Sequence, residues 1–292
     1  MISRTAGTAL AAGLTATALT GCIGYNSTDW PPKYHATRTL VIPASAAEVS
    51  VEGDSQFGDL DLAAHAHPAP SYDDADQPFP SAGAGEVAML AIVRSDREER
   101  LAGVELAPRW LGDTLILDIA WPDGKRRKNE GADWIVRVPE VGSVTGSFDF
   151  GDLTIIEPAG AIDLDADFGD ITILTPHSNI TLDADFGDIR IENAAGLVDI
   201  NADFGDVDVS LTDDNPGPVS IEADFGDVAL HAGPAFAGEI EMDTDFGKSR
   251  LVERGPNART INANGSLSTT RGDGPRSSIR TDFGSVTVTV RE

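Results

Sequence analysis

The stretch Asp-Ala-Asp-Phe-Gly-Asp-Ile, residues 165–171, returns unchanged at residues 183–189 and recurs in looser form at 201–207 and 222–228. Each copy centres on a Phe-Gly step, and successive steps are 18, 18, 18, 21, 21 and 37 residues apart. The Phe residues of these steps are Phe150, Phe168, Phe186, Phe204, Phe225, Phe246 and Phe283. The wide last gap divides into nearly equal parts if residues 261–267 are a further copy in which Gly265 stands for the repeat glycine. The sequence therefore predicts eight stacked repeats over residues 141–292.

Apolar and acidic residues alternate within each repeat. In one unit Ile162, Leu164 and Ala166 share a strand face with the Phe, while Asp residues occupy the other face. This period of two is typical of a half-buried strand. After Gly169 the apolar positions shift by one residue, so the chain must turn a corner there while keeping its apolar side inward. We expect the Phe rings to stack in the core, the glycine to permit the corner, and the neighbouring Asp side chains to accept hydrogen bonds within the turn.

This pattern predicts an all-β protein built as a single-stranded β-solenoid. Each coil would hold a strand, a corner, a second strand and a loop in 18 to 21 residues. Coils of this kind stack about 4.8 Å apart. Right-handed crossovers are the general preference and are favoured here, although an 18-residue coil also suits left-handed hexapeptide helices. The solenoid repeats would occupy residues 141–292, after an irregular, β-rich N-terminal region with a long insertion at residues 39–140.

The N-terminal region contains one isolated copy of the repeat, Phe57-Gly58-Asp59, so the solenoid character is expected to begin there. After the insertion, residues 86–93, 113–121 and 133–139 read as strands. Residues 122–131 are predicted to join the last two strands as a hairpin connection with a basic tip at 125–128. A solvated loop is the simpler interpretation of that tip, and a contact with anionic lipid or glycan is the alternative.

The first 22 residues have the pattern of an export signal. One basic residue, Arg4, precedes a stretch of small and apolar residues. This stretch is too short and too rich in Thr to be a good membrane span. The ending Leu-Thr-Gly-Cys resembles the bacterial lipobox, in which the leader is cut before the Cys and lipid is attached to its thiol. We therefore predict a lipoprotein signal peptide at 1–21, lipid on Cys22, and a lipid-anchored tether at 22–38 that holds the protein to a membrane. An incidental cysteine is the alternative, and this lone cysteine can form no intrachain disulfide.

Charge is distributed unevenly along the chain. The formal net charge is −27, and residues 141–247 hold 24 acidic residues against one basic residue. Nucleic acid would be repelled over most of such a surface, which argues against nucleic-acid binding. Stacked repeats would align Asp residues in columns on both sides of the Phe-Gly step, and clustered carboxylates are ligands for Ca²⁺. The calcium candidates are Asp167, Asp170, Asp185, Asp188, Asp203 and Asp206. Solvated carboxylates that cap the turns are the alternative, and no other cofactor is expected.

The C-terminal part reverses this charge, with eight basic and four acidic residues in 248–292. These basic side chains can decorate the coils that cap the solenoid, where charge on an exposed edge discourages pairing with other chains. The alternative is a head-to-tail contact between this basic end and the acidic shaft of another copy.

No catalytic motif stands out. The chain contains no nucleophile elbow, His-Glu-x-x-His sequence, phosphate loop or dinucleotide fingerprint. His65 and His67 lie in a Pro- and Ala-rich loop with no third metal ligand nearby in the sequence. We therefore predict a protein that is not an enzyme and has no catalytic residues. A carbohydrate-active β-helix enzyme and an envelope-stress sensing component are the alternatives.

The order of these segments resembles a known family. The chain has a strand ending in Leu-Val-Ile-Pro at 40–43, then an isolated repeat, an interrupted β segment, and Gly-Asp-Ile or Gly-Asp-Val repeats. This order is similar to that of a bacterial cell-envelope β-strand-repeat family of unknown function. It is more distantly similar to the adhesin-head type of envelope β-helix. The resemblance covers most of residues 39–292. The family's usual repeat has small residues where this chain has Asp-Phe, which implies a thicker core stack.

The resemblance implies a protein of the bacterial cell envelope with an adhesin-like binding or scaffolding role. Its partner would be an envelope protein or a glycan that the sequence does not name. Ile23 follows the lipobox Cys, where an Asp commonly marks retention in the inner membrane. The outer membrane or the cell surface is therefore the favoured location.

Overall fold

The computed structural model describes residues 33–55, 58–70, 77–256 and 258–291 of the chain. Within these ranges the protein is all-β, as predicted, apart from a one-turn helix, α1 (Glu98–Leu101), and a 3-10 turn at Pro122–Gly124. The strands that precede the main repeats are β1 (Tyr34–Pro43), β2 (Glu48–Ser55), β3 (Leu60–Ala64), β4 (Glu86–Ser95), β5 (Glu105–Leu106), β6 (Arg109–Leu111), β7 (Thr114–Ile116), β8 (Ile119–Ala120) and β9 (Gly131–Val138). No helix in the described ranges has the length and apolar composition needed to cross a membrane.

Each repeat contributes one strand before its Phe-Gly step and one after it. The strands before the step are β10 (Glu140–Phe148), β12 (Ile162–Phe168), β14 (Ile180–Phe186), β16 (Val198–Phe204), β18 (Val219–Phe225), β20 (Gly238–Phe246) and β24 (Ser277–Phe283). The strands after the step are β11 (Leu153–Ile156), β13 (Ile171–Leu174), β15 (Ile189–Ala194), β17 (Val207–Leu211), β19 (Val228–Ala232), β21 (Lys248–Glu253) and β25 (Val286–Val290). Two further strands, β22 (Arg259–Asn264) and β23 (Leu267–Arg271), lie between β21 and β24 in the sequence.

The strands before the Phe-Gly step form one sheet, and the strands after it form another. Within each sheet a strand pairs with the equivalent strand of the neighbouring repeat. β12 pairs in parallel with β14, which places Ile162 beside Ile180 and Phe168 beside Phe186. β13 pairs in parallel with β15 in the same way. The strands before the step belong to an 11-stranded sheet and the strands after it to a 12-stranded sheet. Equivalent residues of successive repeats therefore lie side by side.

The predicted alternation builds the core between these sheets. Ile162, Leu164 and Ala166 are at most 4% exposed, and Ile171 and Ile173 are at most 1% exposed. The corresponding aliphatic residues of the other repeats join them in one hydrophobic cluster that spans both sheets. Each fully buried Leu, Ile or Val contributes about 1.5–3 kcal/mol relative to an exposed one. Aliphatic burial is therefore the main source of the stability of the repeats.

The Phe rings lie on the surface and not in the core, so this part of the prediction was wrong. Phe168 is 40% exposed, although Ala166 is buried two residues earlier. The alternation ends there because the chain turns at Gly169, whose φ is +137°. A Cβ at Gly169 would lie 2.1 Å from the carbonyl oxygen of Gly151, so successive corners pack backbone against backbone. This close approach leaves no interior space for a benzyl group, and the thicker core implied by Asp-Phe is absent.

Stacking in sequence order would place the last repeat at the end of the stack. The structure places it one position earlier. β24 lies between β18 and β20, and β25 lies between β19 and β21. Arg280 of β24 is therefore in register with Glu222 on one side and with Asp243 on the other. This basic residue separates two carboxylates that stacking in sequence order would place side by side. Charge thus favours insertion of the last repeat.

Residues 261–267, which were predicted to be a hidden repeat, instead fold back over the end of the stack. β22 runs antiparallel to β21, and β23 runs antiparallel to β20. None of the side chains of β22 and β23 is fully buried. Ile261 and Leu267 pack against the core but are only partly buried, and the segment lacks the Phe of the other copies. Polar edge strands of this kind protect a sheet from pairing with other chains.

Several basic residues of the C-terminal part form ion pairs within the chain. Arg259 pairs with Glu253, Arg276 with Glu241, and Arg291 with Asp213. These contacts fit the interpretation that the basic residues decorate the end of the stack. A head-to-tail contact between copies stays a prediction.

The N-terminal region continues the same two sheets. β2 pairs in parallel with β10, and β3 pairs in parallel with β11, so the isolated copy near Gly58 joins the repeats as predicted. Phe57 lies outside the described residues. β9 pairs with β3 on one edge and with β4 on the other, and β1 pairs with β4. The predicted hairpin at 122–131 was wrong, because both edges of β9 are occupied and β7 pairs with β2 in the other sheet.

Candidate binding surface along the phenylalanine ladder

The seven Phe side chains of the repeats form one continuous stack, called here the phenylalanine ladder. Its spatial order is Phe150, Phe168, Phe186, Phe204, Phe225, Phe283 and Phe246. Neighbouring ring centroids are 4.7 or 4.8 Å apart, and neighbouring ring planes are within 7° of parallel. This is the spacing of paired strands, so the strand register sets the ring geometry. The ladder is about 29 Å long.

The ladder presents ring edges to solvent, because each ring face is covered by the next ring. Six of the rings are 39–45% exposed. Phe246, which ends the ladder, is 68% exposed. Each stacked pair contributes about 0.5–1.5 kcal/mol beyond area burial. Contiguous exposed apolar surface is also the usual mark of an interaction site, so the ladder combines a structural contribution with a surface that is available for binding.

The Asp residues after the Phe-Gly steps connect neighbouring repeats. The backbone N–H of Asp188 donates to Oδ1 of Asp170 at 2.9 Å, and the N–H of Asp206 donates to Oδ1 of Asp188 at 2.9 Å. The same bond continues along the stack up to the N–H of Ser285, which donates to Oδ1 of Asp227. These carboxylates were predicted to cap their own turns. Each instead caps the next repeat, because the N–H after the corner glycine points along the stack.

A second row of carboxylates precedes the rings. The side chains of Asp167, Asp185 and Asp203 make no hydrogen bond or ion pair with any residue that the structure describes. Burial, and then the carboxylates of neighbouring repeats, raise the pKa of Asp203. The same two causes raise the pKa of Asp165, which lies further along the outer face of the sheet. At Phe168, Phe186 and Phe204 the ladder is therefore flanked by carboxylates that the described part of the protein does not neutralise, whereas Asp282 beside Phe283 pairs with Arg280.

The six calcium candidates divide between these two rows. Asp170, Asp188 and Asp206 each direct one oxygen to a backbone N–H. In the described ranges, no group of three or more His, Cys, Asp or Glu side chains lies close enough to hold a metal ion. A calcium ion needs six to eight oxygen ligands. The side chains alone do not assemble such a set, and calcium binding stays a prediction.

The His pair of the N-terminal region makes two unrelated contacts. His65 Nε2 lies 2.7 Å from the carbonyl oxygen of Glu86, and His67 Nε2 lies 3.1 Å from Oε2 of Glu157. These bonds tie the start of the insertion to β4 and to the segment after β11. A structural role accounts for both side chains.

Sequence reasoning missed a group of buried charges in the N-terminal region. Arg100 of α1 donates from Nε to Oε1 of Glu130 at 2.5 Å and from Nη2 to Oε2 at 2.9 Å, and both side chains are buried. Arg137 of β9 forms a second buried ion pair, with Asp61. The one signal in the sequence was a basic residue, Arg137, inside an otherwise apolar strand. Such pairs hold loops in place, because removing one partner would leave a buried charge uncompensated.

The comparisons with known proteins do not identify the chain. No family model and no curated protein matches it. Among solved structures, an adhesin, so named provisionally, from Bacteroides fragilis is 13% identical with a TM-score of 0.39, over 89% of this chain and 98% of its own. A provisionally named cell adhesion protein from Clostridium sporogenes is 12% identical with a TM-score of 0.34, over 88% of this chain and 99% of its own. A provisionally named lipid binding protein from Parabacteroides distasonis is 13% identical with a TM-score of 0.30, over 87% and 96%. At TM-scores below 0.5 these likenesses carry no functional conclusion.

The hydrogen bonds accepted by the Asp residues after the corner glycines can be tested by paired substitutions. Asp188→Ala removes the acceptor for the N–H of Asp206, whereas Asp188→Asn removes the same charge and keeps an acceptor oxygen. We expect the Ala variant to be less stable than the Asn variant by about 1 kcal/mol, measured by urea unfolding. Asp163, which makes no such bond, serves as the control, and its Ala and Asn variants should differ little. An Ala variant of Asp188 as stable as the Asn variant would contradict the structural role.

The raised pKa values of Asp165 and Asp203 predict the pH dependence of stability. A carboxyl whose pKa is higher in the folded state binds protons preferentially in that state, so stability falls as the pH rises through this range. The melting temperature should therefore rise as the pH is lowered from neutrality towards the ordinary carboxyl pKa of 3.8 at constant ionic strength. Circular dichroism at each pH provides the measurement. The double variant Asp165→Asn, Asp203→Asn should show a smaller rise, and an unchanged rise would refute this assignment.

At lower pH the opposite behaviour takes over. Hydrogen bonds from Arg100 and Arg127 lower the pKa of Asp123 to about 2. Burial opposes a similar effect at Glu130, but the hydrogen bonds from Arg100 and from the Arg127 backbone prevail and lower its pKa. Groups with a depressed folded-state pKa lose their stabilising contribution as they become protonated. The melting temperature should consequently pass through a maximum and decrease as the pH approaches about 2.

Proposed function

We propose that the protein is a non-enzymatic, lipid-anchored β-solenoid of the bacterial cell envelope that binds a cationic, partly apolar polypeptide along the phenylalanine ladder. Lipid on Cys22 and the residues that follow it would hold the folded part near the membrane. The tether predicted at 22–38 overlaps β1, which begins at Tyr34 and pairs with β4, so residues 34–38 belong to the fold. The parallel register of one repeat in both sheets supports the solenoid, with right-handed coils favoured on general grounds. The observation that carries the binding proposal is the exposure of seven stacked aromatic rings.

The apolar component of the site is the ladder. Six rings at 39–45% exposure and one at 68% form a strip about 29 Å long, with no break between neighbours. Core stability does not require these rings to be large, because the buried positions are filled by aliphatic residues. Apolar side chains of a partner can cover the ring edges and remove them from water.

The electrostatic component selects the partner. The residues around the ladder carry 24 acidic and one basic side chain over 141–247. The carboxylates of Asp167, Asp185 and Asp203 make no hydrogen bond or ion pair with the described residues, so Lys or Arg side chains of a bound segment would meet acceptors on this part of the flank of the ladder. Complementary charge increases the association rate and the specificity. A cationic segment with aromatic or aliphatic side chains fits both features.

A binding experiment tests this proposal with a defined probe, a synthetic peptide of alternating Lys and Phe, and isothermal titration calorimetry. The triple variant Phe168→Ser, Phe186→Ser, Phe204→Ser keeps every carboxylate and shortens the apolar strip. The triple variant Asp167→Asn, Asp185→Asn, Asp203→Asn keeps every ring and removes three charges. We expect each to weaken binding about tenfold or more, which corresponds to 1.4 kcal/mol.

The control removes three charges away from the ladder, by Asp208→Asn, Asp213→Asn, Asp214→Asn, and should change affinity much less. Melting temperatures establish that every variant is folded during titration, since loss of stacking also lowers stability. If the Phe variant is destabilised but binds as tightly as the wild type, the ladder is structural only and the proposal is overturned. The same holds if the control weakens binding as much as the Asp variant beside the ladder.

Membrane attachment is tested by Cys22→Ser in the full-length chain, whose Cys22 lies outside the described residues. A thioether-linked lipid cannot form on Ser, so the variant should leave the membrane fraction and the detergent phase. Gly21→Ala, which keeps a small residue before the Cys, should stay with the membrane. Equal partitioning of the wild type and Cys22→Ser would rule out the lipid anchor.

A further inference from the structure

A cavity of about 300 Å³ lies in the N-terminal region, apart from the phenylalanine ladder. It is lined by residues of the segment 117–121, which follows β7 and includes β8, by the loop after Trp121, and by the beginning of β9. The residues that line it include Asp118, Trp121, Arg126 and Trp134. Ligand-binding pockets have volumes from about 300 Å³ upward. The cavity is large enough for one or two sugar rings.

The walls of the cavity are fixed by buried interactions. The Arg100 guanidinium lies 5.8 Å from the centroid of the Trp121 ring, and Arg100 is itself held by Glu130 at 2.5 and 2.9 Å. Trp134 belongs to β9, and its backbone N–H donates to the carbonyl oxygen of Asp59 at 2.7 Å. Trp121 and Trp134 are 9% and 6% exposed, so both side chains are packed against the rest of the protein. A site that is ordered before the ligand arrives loses less entropy on binding.

The cavity lies beside a local excess of positive charge. Residues 125–128 are Lys-Arg-Arg-Lys in a chain of formal charge −27. The acidic neighbours of this loop are already paired, Glu130 with Arg100 and Asp123 with Arg100 and Arg127. Arg126 is exposed at the wall and makes no hydrogen bond or ion pair with any residue in the described part of the chain. An Arg without a protein partner at the edge of a pocket is suited to bind a carboxylate through two parallel hydrogen bonds.

Asp118 adds an acceptor on the same wall. Its Oδ1 accepts a hydrogen bond from the N–H of Ile119 at 2.8 Å, and its Oδ2 lies 3.9 Å from Nε of Arg109. That distance is too long for a direct hydrogen bond, so Oδ2 is free to accept one from a hydroxyl group. A carboxylate acceptor and an unpaired guanidinium together match the hydroxyl groups and the carboxylate of an acidic sugar.

We propose that this cavity binds a carboxylate-bearing sugar residue of an acidic glycan. Arg126 would hold the carboxylate and Asp118 would accept a ring hydroxyl, close enough to Trp121 and Trp134 for binding to change their fluorescence. The site is separate from the phenylalanine ladder, so the protein would have two binding surfaces of opposite charge. The basic tip at 125–128 then has a binding role in addition to being solvated.

The test measures binding of digalacturonate to the full chain by calorimetry and by tryptophan emission. Neutral galactobiose and inorganic phosphate serve as comparison ligands. We expect saturable binding of digalacturonate and binding weaker by about tenfold for Arg126→Gln. Lys128→Gln removes the same charge from the same loop but does not line the cavity, and it should change affinity by less than about twofold. Both residues are exposed, so the melting temperature should be unaffected.

Three results would overturn the proposal. One is the absence of saturable digalacturonate binding up to about 10 mM, a concentration well above the dissociation constants of specific sites. Another is equal affinity for galactobiose or for phosphate, because the site would then not read a carboxylate on a sugar. The third is an equal loss in Arg126→Gln and Lys128→Gln, which indicates general electrostatic attraction. None of these outcomes bears on the phenylalanine ladder, whose variants leave the cavity intact.

Discussion

Backbone packing at the corner glycines is the constraint on which the rest of the structure depends. A Cβ at Gly169, Gly187 or Gly205 would lie 2.0–2.1 Å from the carbonyl oxygen of the glycine one repeat earlier. Only residues without a side chain can approach so closely, and the positive φ values of these positions also favour glycine. The corners therefore stack at the strand spacing. Because the corners permit this stacking, every other repeated feature, from the aliphatic core to the Asp hydrogen bonds, recurs at the spacing of the paired strands.

The same constraint places the aromatic rings at the surface. Because the corners are in backbone contact, the inward position next to them holds a small side chain, such as Ala166 or Ala184, and the following Phe turns outward. The rings then stack on one another at 4.8 Å with parallel planes. An apolar strip is thus created by the geometry of the turn and is kept in an acidic environment by the outward Asp residues. This combination of apolar and negative surface is what suggests a cationic, partly apolar partner.

Charge also shapes the two ends of the molecule. At the C-terminal end, Arg280 lies between Glu222 and Asp243, and β22 and β23 close the sheets with polar strands. At the N-terminal end, buried pairs such as Arg100 with Glu130 hold the basic loop beside a cavity. Positive charge is scarce in this chain, and it is concentrated where an edge is closed or where a loop meets a pocket. The acidic surface between the two ends is formed by the repeats.

The sequence by itself determined the length of the repeat, the two strands on either side of the glycine, and the aliphatic residues of the core. These features depend on local alternation and on one backbone requirement, both of which are visible in residues such as Ile162, Leu164 and Gly169. The sequence also predicted that the Phe rings stack on one another, but the alternation alone placed this stack in the core and not at the surface. Only the tertiary structure decided that Phe168 faces solvent, that Asp170 accepts a hydrogen bond from the next repeat, that β24 is inserted between β18 and β20, and that a cavity forms between Trp121 and Trp134. Each of these depends on contacts between segments that are distant in the sequence, where space and charge from neighbouring repeats outweigh local pattern.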